Sequence, residues 1–179
     1  FINKITTVED DLFTYYYKDI DNSYAKDMII TLAQYGVYFE DTNFRPTEAI
    51  TQKDFVAMLY CAIRGTGAPI NDDTYEEAYE YLQRRGIIDL SEIVFNMADN
   101  PPIRREQAAE LIIRMLGYED IANLDIYAPQ FSDVTEDIGY SSILKGLGIM
   151  QGTGDGKFNP KGSITRQDAA VIIYKALSI

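Results

Sequence analysis

The feature that most constrains this chain is that it repeats itself. Three stretches follow one plan: a short Asp-bearing opening, an apolar helix ending in glycine, a loop with proline, and a second apolar helix. The first runs from "YKDIDNSYAKDMIITLAQYGV" through "FRPTEAITQKDFVAMLYCAI". The second runs from "INDDTYEEAYEYLQRRGII" through "NPPIRREQAAELIIRML", and the third from "FSDVTEDIGYSSILKGLGIM" through "GKFNPKGSITRQDAAVIIYKAL". Gly36, Gly86 and Gly148 line up, as do Ile50, Ile103 and Ile164 ahead of each second helix. A helical hairpin of this size cannot bury its own apolar stripe, so the three must pack on one another. The expectation is an all-α bundle of three helical-hairpin repeats forming one compact module, with short extended pieces in its loops. Its boundaries are 17–65, 66–117 and 131–179, with a lead-in at 1–16 and a linker at 118–130.

The helices follow from periodicity. Tyr24, Met28, Ile29, Leu32 and Tyr35 recur at three- and four-residue steps, and Gly36 can end that helix as a left-handed cap. Gly86 and Gly148 are expected to do the same. The second helices present Phe55, Met58, Leu59 and Ile63, then Ala108, Leu111, Ile112 and Met115, then Ala169, Ile172, Ile173 and Leu177. In the lead-in, "TTVEDDLFTYYY" reads as a short helix capped by Thr6 or Thr7, with Tyr15, Tyr16 and Tyr17 packing on the bundle.

Composition excludes several classes of function. The net charge of −12 repels a phosphate backbone, so nucleic acid is not an expected partner, nor is an anionic membrane surface. No run approaches the ~18 apolar residues of a membrane span. The chain has no histidine, which removes the commonest general base and metal ligand together with every Ser-His-Asp or Cys-His arrangement. Carboxylate pairs such as Asp72 with Asp73 and Glu76 with Glu77 read as solvated helix starts, and nothing singles out a glycosidase pair. Cys61 is the one cysteine; it lies in an apolar helical run and reads as a buried structural thiol. The expectation is a non-catalytic module with no cofactor and no metal. The chain begins at Phe1 without a signal-peptide pattern and reads as an excised or processed piece.

Three local motifs carry the functional question. "TGDGKFN" has the look of a calcium loop, but with Gly156 at the sixth position only Asp155 stands where a ligand is needed; Thr153, Gln151 and Gly162 fill the others. The segment is better read as a turn ahead of an extended "KFNP" piece. "TRQD", Thr165 to Asp168, fits a capping box, and "TQKD", Thr51 to Asp54, repeats it. Capping explains the threonines and the acids. It does not explain Arg166 and Arg105 at the first helical position, where a cation opposes the helix dipole by a few tenths of a kcal/mol. Two readings follow. Each arginine is paired with a neighbouring Asp or Glu, or each arginine and the helix N-terminal amides form a site for a carboxylate or phosphate.

"FSDV" followed by "LGIMQGTGDGKFNPKGSITRQDAAVII" resembles an S-layer homology repeat. The first stretch keeps "YKDI", "YA", "GV", "FRP" and "ITQKD", and the second keeps "GII" and "IRREQAA". The resemblance spans roughly residues 17 to 179. It implies pseudo-threefold symmetry around a central helix bundle, with first helices central and second helices outside as prongs. It also implies non-covalent anchoring of an exported protein to secondary cell-wall polysaccharide, often a pyruvylated sugar, at the bacterial cell surface. By position, Arg166 and Arg105 are the motif arginines that meet the ligand carboxylate. Asp133 and Asp19 are the opening acids, and Tyr24 stands where the family usually has Trp. Gln52 replaces the arginine of the first repeat and supplies no charge. The expected partners are cell-wall polysaccharide and other surface-layer proteins, with the module itself monomeric. The alternative is a protein-interaction or surface-layer assembly module that kept the fold and lost the sugar site, a reading favoured by Gln52, the absence of Trp and the tyrosine-rich start.

Overall fold

The structure, a computed structural model, describes residues 17–89 and 99–179. The expectations for Tyr15, Tyr16 and the lead-in helix lie outside those residues. Among the described residues the chain is helical, with α1 (Lys26–Gln34), α2 (Gln52–Arg64), α3 (Asp72–Arg84), α4 (Arg105–Leu116), α5 (Glu119–Ala122), α6 (Ile138–Gly146) and α7 (Arg166–Leu177). No sheet forms among them; strand-like pairing is limited to isolated bridges. None of these helices is long and apolar enough to cross a membrane.

α1, α3 and α6 end in the same way. Val37, Ile87 and Ile149 donate their amides to Leu32, Leu82 and Leu144, and Gly36, Gly86 and Gly148 sit at φ 84°, 69° and 75°. This is the reversal that a left-handed glycine after a helix permits. Gly36 is constrained twice, because a Cβ there would lie 2.6 Å from the Gly67 amide nitrogen.

The arrangement of helices corrects one expectation. The second helices, α2, α4 and α7, supply most of the core, and the first helices lie against them. α2 buries an unbroken run from Phe55 to Cys61, while α3 buries only Ala78 and Leu82. A helix that is apolar on most of its circumference belongs inside, and one with a narrow stripe belongs outside. The hairpins are also not packed as closed units. α3 packs chiefly on α2, α6 on α4 and α1 on α7, so each first helix leans on the second helix of another pair. Within α1 the buried positions are Ile29, Leu32 and Ala33, with Ala25 just ahead; Tyr24 and Tyr35 are 65% and 51% exposed and do not extend the stripe. Phe55, Met58, Leu59, Ala108, Leu111, Ile112, Ala169, Ile172 and Ile173 are buried as expected, with Ile63, Met115 and Leu177 packed partly buried at the edge.

At the N-termini of the second helices the chain links to itself across the bundle. Ala49 bridges Thr165, Thr51 bridges Pro102, and Arg104 bridges Ser163. Ile50, Ile103 and Ile164, aligned in the sequence, are each no more than 1% exposed at this junction. The Ile50 amide donates to Ile164, and the Ile103 amide to Ile50. Three non-glycine residues, Arg45, Asn100 and Asn159, hold positive φ immediately before Pro46, Pro101 and Pro160. A residue before proline ordinarily prefers extended backbone. Here the turn delivers each proline carbonyl to a neighbouring helix: Pro46 accepts from Gln167, Pro101 from Gln52 and Pro160 from Glu106.

Candidate cleft between neighbouring helix starts

Those links bear on function. The Arg166 and Gln167 amides donate to Glu48 and Pro46, and the Asp168 amide donates to the Thr165 hydroxyl. The Arg105 and Glu106 amides donate to Gly162 and Pro160. The expectation that helix N-terminal amides recognise an anion is therefore corrected. Their donors are engaged by carbonyls of adjacent loops and by a cap, which leaves recognition to side chains.

The side chains form a repeated pair. The first residue of one second helix faces the third residue of another: Arg166 faces Asp54, Arg105 faces Asp168, and Gln52 faces Gln107. In the first pair, Arg166 Nε donates to the Phe44 carbonyl at 2.6 Å, and its guanidinium lies 4.0 Å from the Phe39 ring centre and 5.3 Å from that of Phe44. Its Nη1 meets Asp54 Oδ2 at 2.5 Å, and the two side chains are 3% and 15% exposed. Asp54 Oδ1 accepts from the Tyr75 hydroxyl at 2.7 Å. Burial and this acidic partner push the Tyr75 hydroxyl well above the usual tyrosine range. Arg166 does not stand free, and the paired reading applies to it.

Arg105 begins in the same manner and ends differently. Its Nε donates to the Phe158 carbonyl at 2.6 Å, with the guanidinium 5.1 Å from that ring's centre. Among the described residues no carboxylate comes within ion-pair distance of it. Burial lowers the pKa of Arg105, while Asp168, Asp133 and Tyr24 are near enough to act on its charge in the opposite direction. Asp168 is held elsewhere: Oδ2 accepts from the Thr165 amide at 3.1 Å and hydroxyl at 2.7 Å, and Oδ1 accepts from the Tyr24 hydroxyl. Burial, followed by the Asp168 hydrogen bond, pushes the Tyr24 hydroxyl up to about 12. The cleft thus offers a half-buried guanidinium, its Nη groups free among the described residues, and beside it Tyr24, a residue 65% exposed.

The third pair is neutral. Gln52 Nε2 lies 3.4 Å from Gln107 Oε1, and Gln52 Oε1 is buried without a partner among the described residues. Neither member of the pair carries a charge, as the sequence indicates.

Asp19 and Asp133 have structural work. Asp19 accepts the Phe44 and Arg45 amides at 2.8 and 2.7 Å, and Asp133 accepts those of Phe158 and Asn159, both at 2.8 Å. They secure the two strained turns whose phenylalanines carry the arginines. Burial opposes the charge on Asp133, but the two amides outweigh it and hold its carboxyl below the usual range. Sequence reasoning missed Asp54, Asp168, Tyr75, Phe44 and Phe158 as parts of the clefts. The acids were absorbed by the capping motif; the "FRP" and "FNP" tripeptides were the available signal for the phenylalanines. Asp155, the one calcium-like position, accepts from Thr153 Oγ1 and the Lys157 amide and closes a turn. A pocket of about 250 Å³ lies between α5 and α6, lined by residues including Asn123, Asp125 and Asp137, and it contains none of the cleft residues.

A family model described as S-layer homology domain matches residues 16–56 and 130–170. Arg166 lies inside the second stretch, and Arg105 lies outside both. The chain is 32% identical over 181 residues to the exoglucanase XynX of Acetivibrio thermocellus, covering 90% of this chain and 16% of that protein. It is 34% identical over 80 residues to a cell surface protein of Thermoanaerobacter kivui, covering 42% of this chain and 10% of that protein. It is 27% identical over 126 residues to a surface layer protein of Brevibacillus choshinensis, covering 67% of this chain and 11% of that protein. The chain therefore spans under a fifth of the length of each of these relatives.

Proposed function

Residues 16–56 and 130–170 belong to the S-layer homology domain family, and from that premise we propose that this chain is a non-catalytic module that anchors a larger protein to the bacterial cell wall. It binds secondary cell-wall polysaccharide through an acidic substituent such as a pyruvyl ketal. The occurrence of similar stretches in a cell surface protein and a surface layer protein supports a location outside the cell and on the wall. The exoglucanase is matched over a small part of its length, consistent with an appended module whose chemistry resides elsewhere in that protein.

The observation that carries the mechanism is the guanidinium of Arg105, unpaired among the described residues. A carboxylate on the sugar takes its Nη groups in a charge-assisted, two-point contact. The exposed ring of Tyr24 lies against the sugar's apolar face, as aromatic rings do in sites that bind through one apolar and one wet surface. Asp19 and Asp133 act by holding the turns that fix the arginines. Attachment is an equilibrium, with no bond made or broken.

The experiment is co-sedimentation with purified wall material, intact or stripped of its acidic substituents. Retention on intact material, loss on stripped material and loss in Arg105→Ala support the reading. Retention that ignores both changes sinks it, and binding to a surface-layer protein without any sugar would favour the assembly alternative.

A further inference from the structure

We propose that Asp54 plugs the Arg166 cleft by taking the place of a ligand carboxylate, and that the aspartate at this helical position decides, cleft by cleft, whether the chain accepts an anion. The proposal rests on the anion-recognition reading above.

The chain contains its own control. Asp54 and Asp168 occupy the third position of α2 and α7, each after a capping threonine. Each gives one oxygen to a tyrosine hydroxyl, Tyr75 or Tyr24. The difference lies in the other oxygen. Asp168 Oδ2 returns to Thr165 and completes its own helix cap. Asp54 Oδ2 turns outward to Arg166 Nη1. The arginines share a frame, each with Nε on a phenylalanine carbonyl and the guanidinium over that ring; Arg166 also has Phe39 beside it and is the more buried of the two. A capped aspartate leaves its arginine open, and an uncapped one closes it.

The plug is also an imperfect substitute. Because Oδ1 is held by Tyr75, Asp54 reaches Arg166 through one oxygen only, and Arg166 Nη2 is buried with no partner among the described residues. A free carboxylate would engage both Nη groups. The geometry is that of an anion site occupied from within by a monodentate group, not of an arginine whose donors are all consumed.

The test follows the Nε–H resonances of Arg105 and Arg166 in ¹⁵N-labelled protein titrated with pyruvate. In the unaltered chain Arg105 shifts saturably and Arg166 does not. In Asp54→Asn the charge that holds the side chain on Nη1 is gone, an added carboxylate displaces the neutral amide, and Arg166 shifts as well, with a midpoint within about tenfold of that of Arg105. An Arg166 that responds equally before and after the substitution, or in neither protein, overturns the proposal. Thr165→Val runs the logic in reverse and covers the case in which D54N does not fold. With the hydroxyl gone, only the backbone amide of residue 165 still holds Asp168 Oδ2, so Asp168 turns towards Arg105 and weakens the Arg105 response by up to about tenfold, one charge-assisted contact's worth; an unchanged midpoint overturns the proposal. An Arg105 that ignores both pyruvate and wall polysaccharide in the unaltered chain instead condemns the anchoring mechanism, and the D54N result at Arg166 is still read on its own.

Discussion

Replacing each arginine with glutamine, the residue already present at the equivalent position as Gln52, should separate stability from binding. R166Q leaves the Asp54 carboxylate, 15% exposed, facing an amide in place of a cation. Breaking a buried pair from one side costs about 3–5 kcal/mol, and the low end applies because glutamine still donates a hydrogen bond. At about 2–4 °C per kcal/mol for a chain of this size, Tm falls by roughly 6–12 °C. R105Q breaks no ion pair among the described residues. It loses the bond from Nε to the Phe158 carbonyl, about 1 kcal/mol, so Tm falls by roughly 2–4 °C. Its effect appears in affinity, where a hydrogen bond to a charged group contributes about 1.5–3 kcal/mol, equivalent to roughly 10–150-fold in Kd. Differential scanning calorimetry measures the first quantity, and isothermal titration with purified wall polysaccharide measures the second. Loss of polysaccharide binding in R166Q, at a temperature where it is folded, while R105Q keeps it, or an equal loss of Tm in both variants, would refute this division between the two arginines.

Two further outcomes follow from the local geometry. Gly36→Ala should destabilise the chain by about 1–3 kcal/mol more than Gly148→Ala, because both pay for left-handed backbone but only position 36 places the new Cβ 2.6 Å from a backbone nitrogen; urea midpoints compare them, and equal losses would show that the Gly36–Gly67 approach yields freely. Asp133→Asn should lower stability in a pH-dependent manner: because the folded carboxyl titrates below its ordinary value of 3.8, its contribution is present above that value and is lost as pH falls through the lower folded value, so the deficit of the variant is full near neutrality and shrinks in acid. A deficit constant across urea titrations from about pH 6 to about pH 2 would remove the charge from the account.

The fold was legible where one residue type has one physical use. The glycines after α1, α3 and α6 announced their left-handed reversals, and the isoleucines before the second helices announced a shared buried junction. Which helices lie at the centre was also present in the composition, since α2 is apolar around most of its circumference and α3 is not, but a stripe count alone passed over it. Tyr24 and Tyr35 misled because a tyrosine at the right spacing satisfies a periodicity whether its ring faces the core or the solvent. The clefts were less legible. "TQKD" and "TRQD" satisfy the same capping pattern, yet Asp168 completes its box while Asp54 leaves it for an arginine more than a hundred positions away in the chain. Local pattern describes what a side chain can do within its own helix; the competing partner comes from another part of the bundle.

That competition explains how one scaffold can hold clefts of different chemistry. The backbone at each junction is committed: the first amides of α2, α4 and α7 are taken by loop carbonyls, and those contacts, with the buried isoleucines, hold the helix starts together. Recognition is thereby confined to the side chains at the first and third helical positions, which those amide-to-loop bonds leave unused. Arg with a diverted Asp, Arg with a capping Asp, and Gln with Gln are three settings of the same two positions. A cleft can gain or lose its charge by a change at either position while the junction beneath it remains intact. It follows that a double substitution, Gln52→Arg with Gln107→Asp, should be tolerated by the fold. Its anion response should depend on whether the carboxylate introduced on α4 caps its own helix or crosses to the guanidinium introduced on α2. A bundle that fails to fold with this exchange, judged by circular dichroism and a thermal melt, would show that the pair is part of the junction after all.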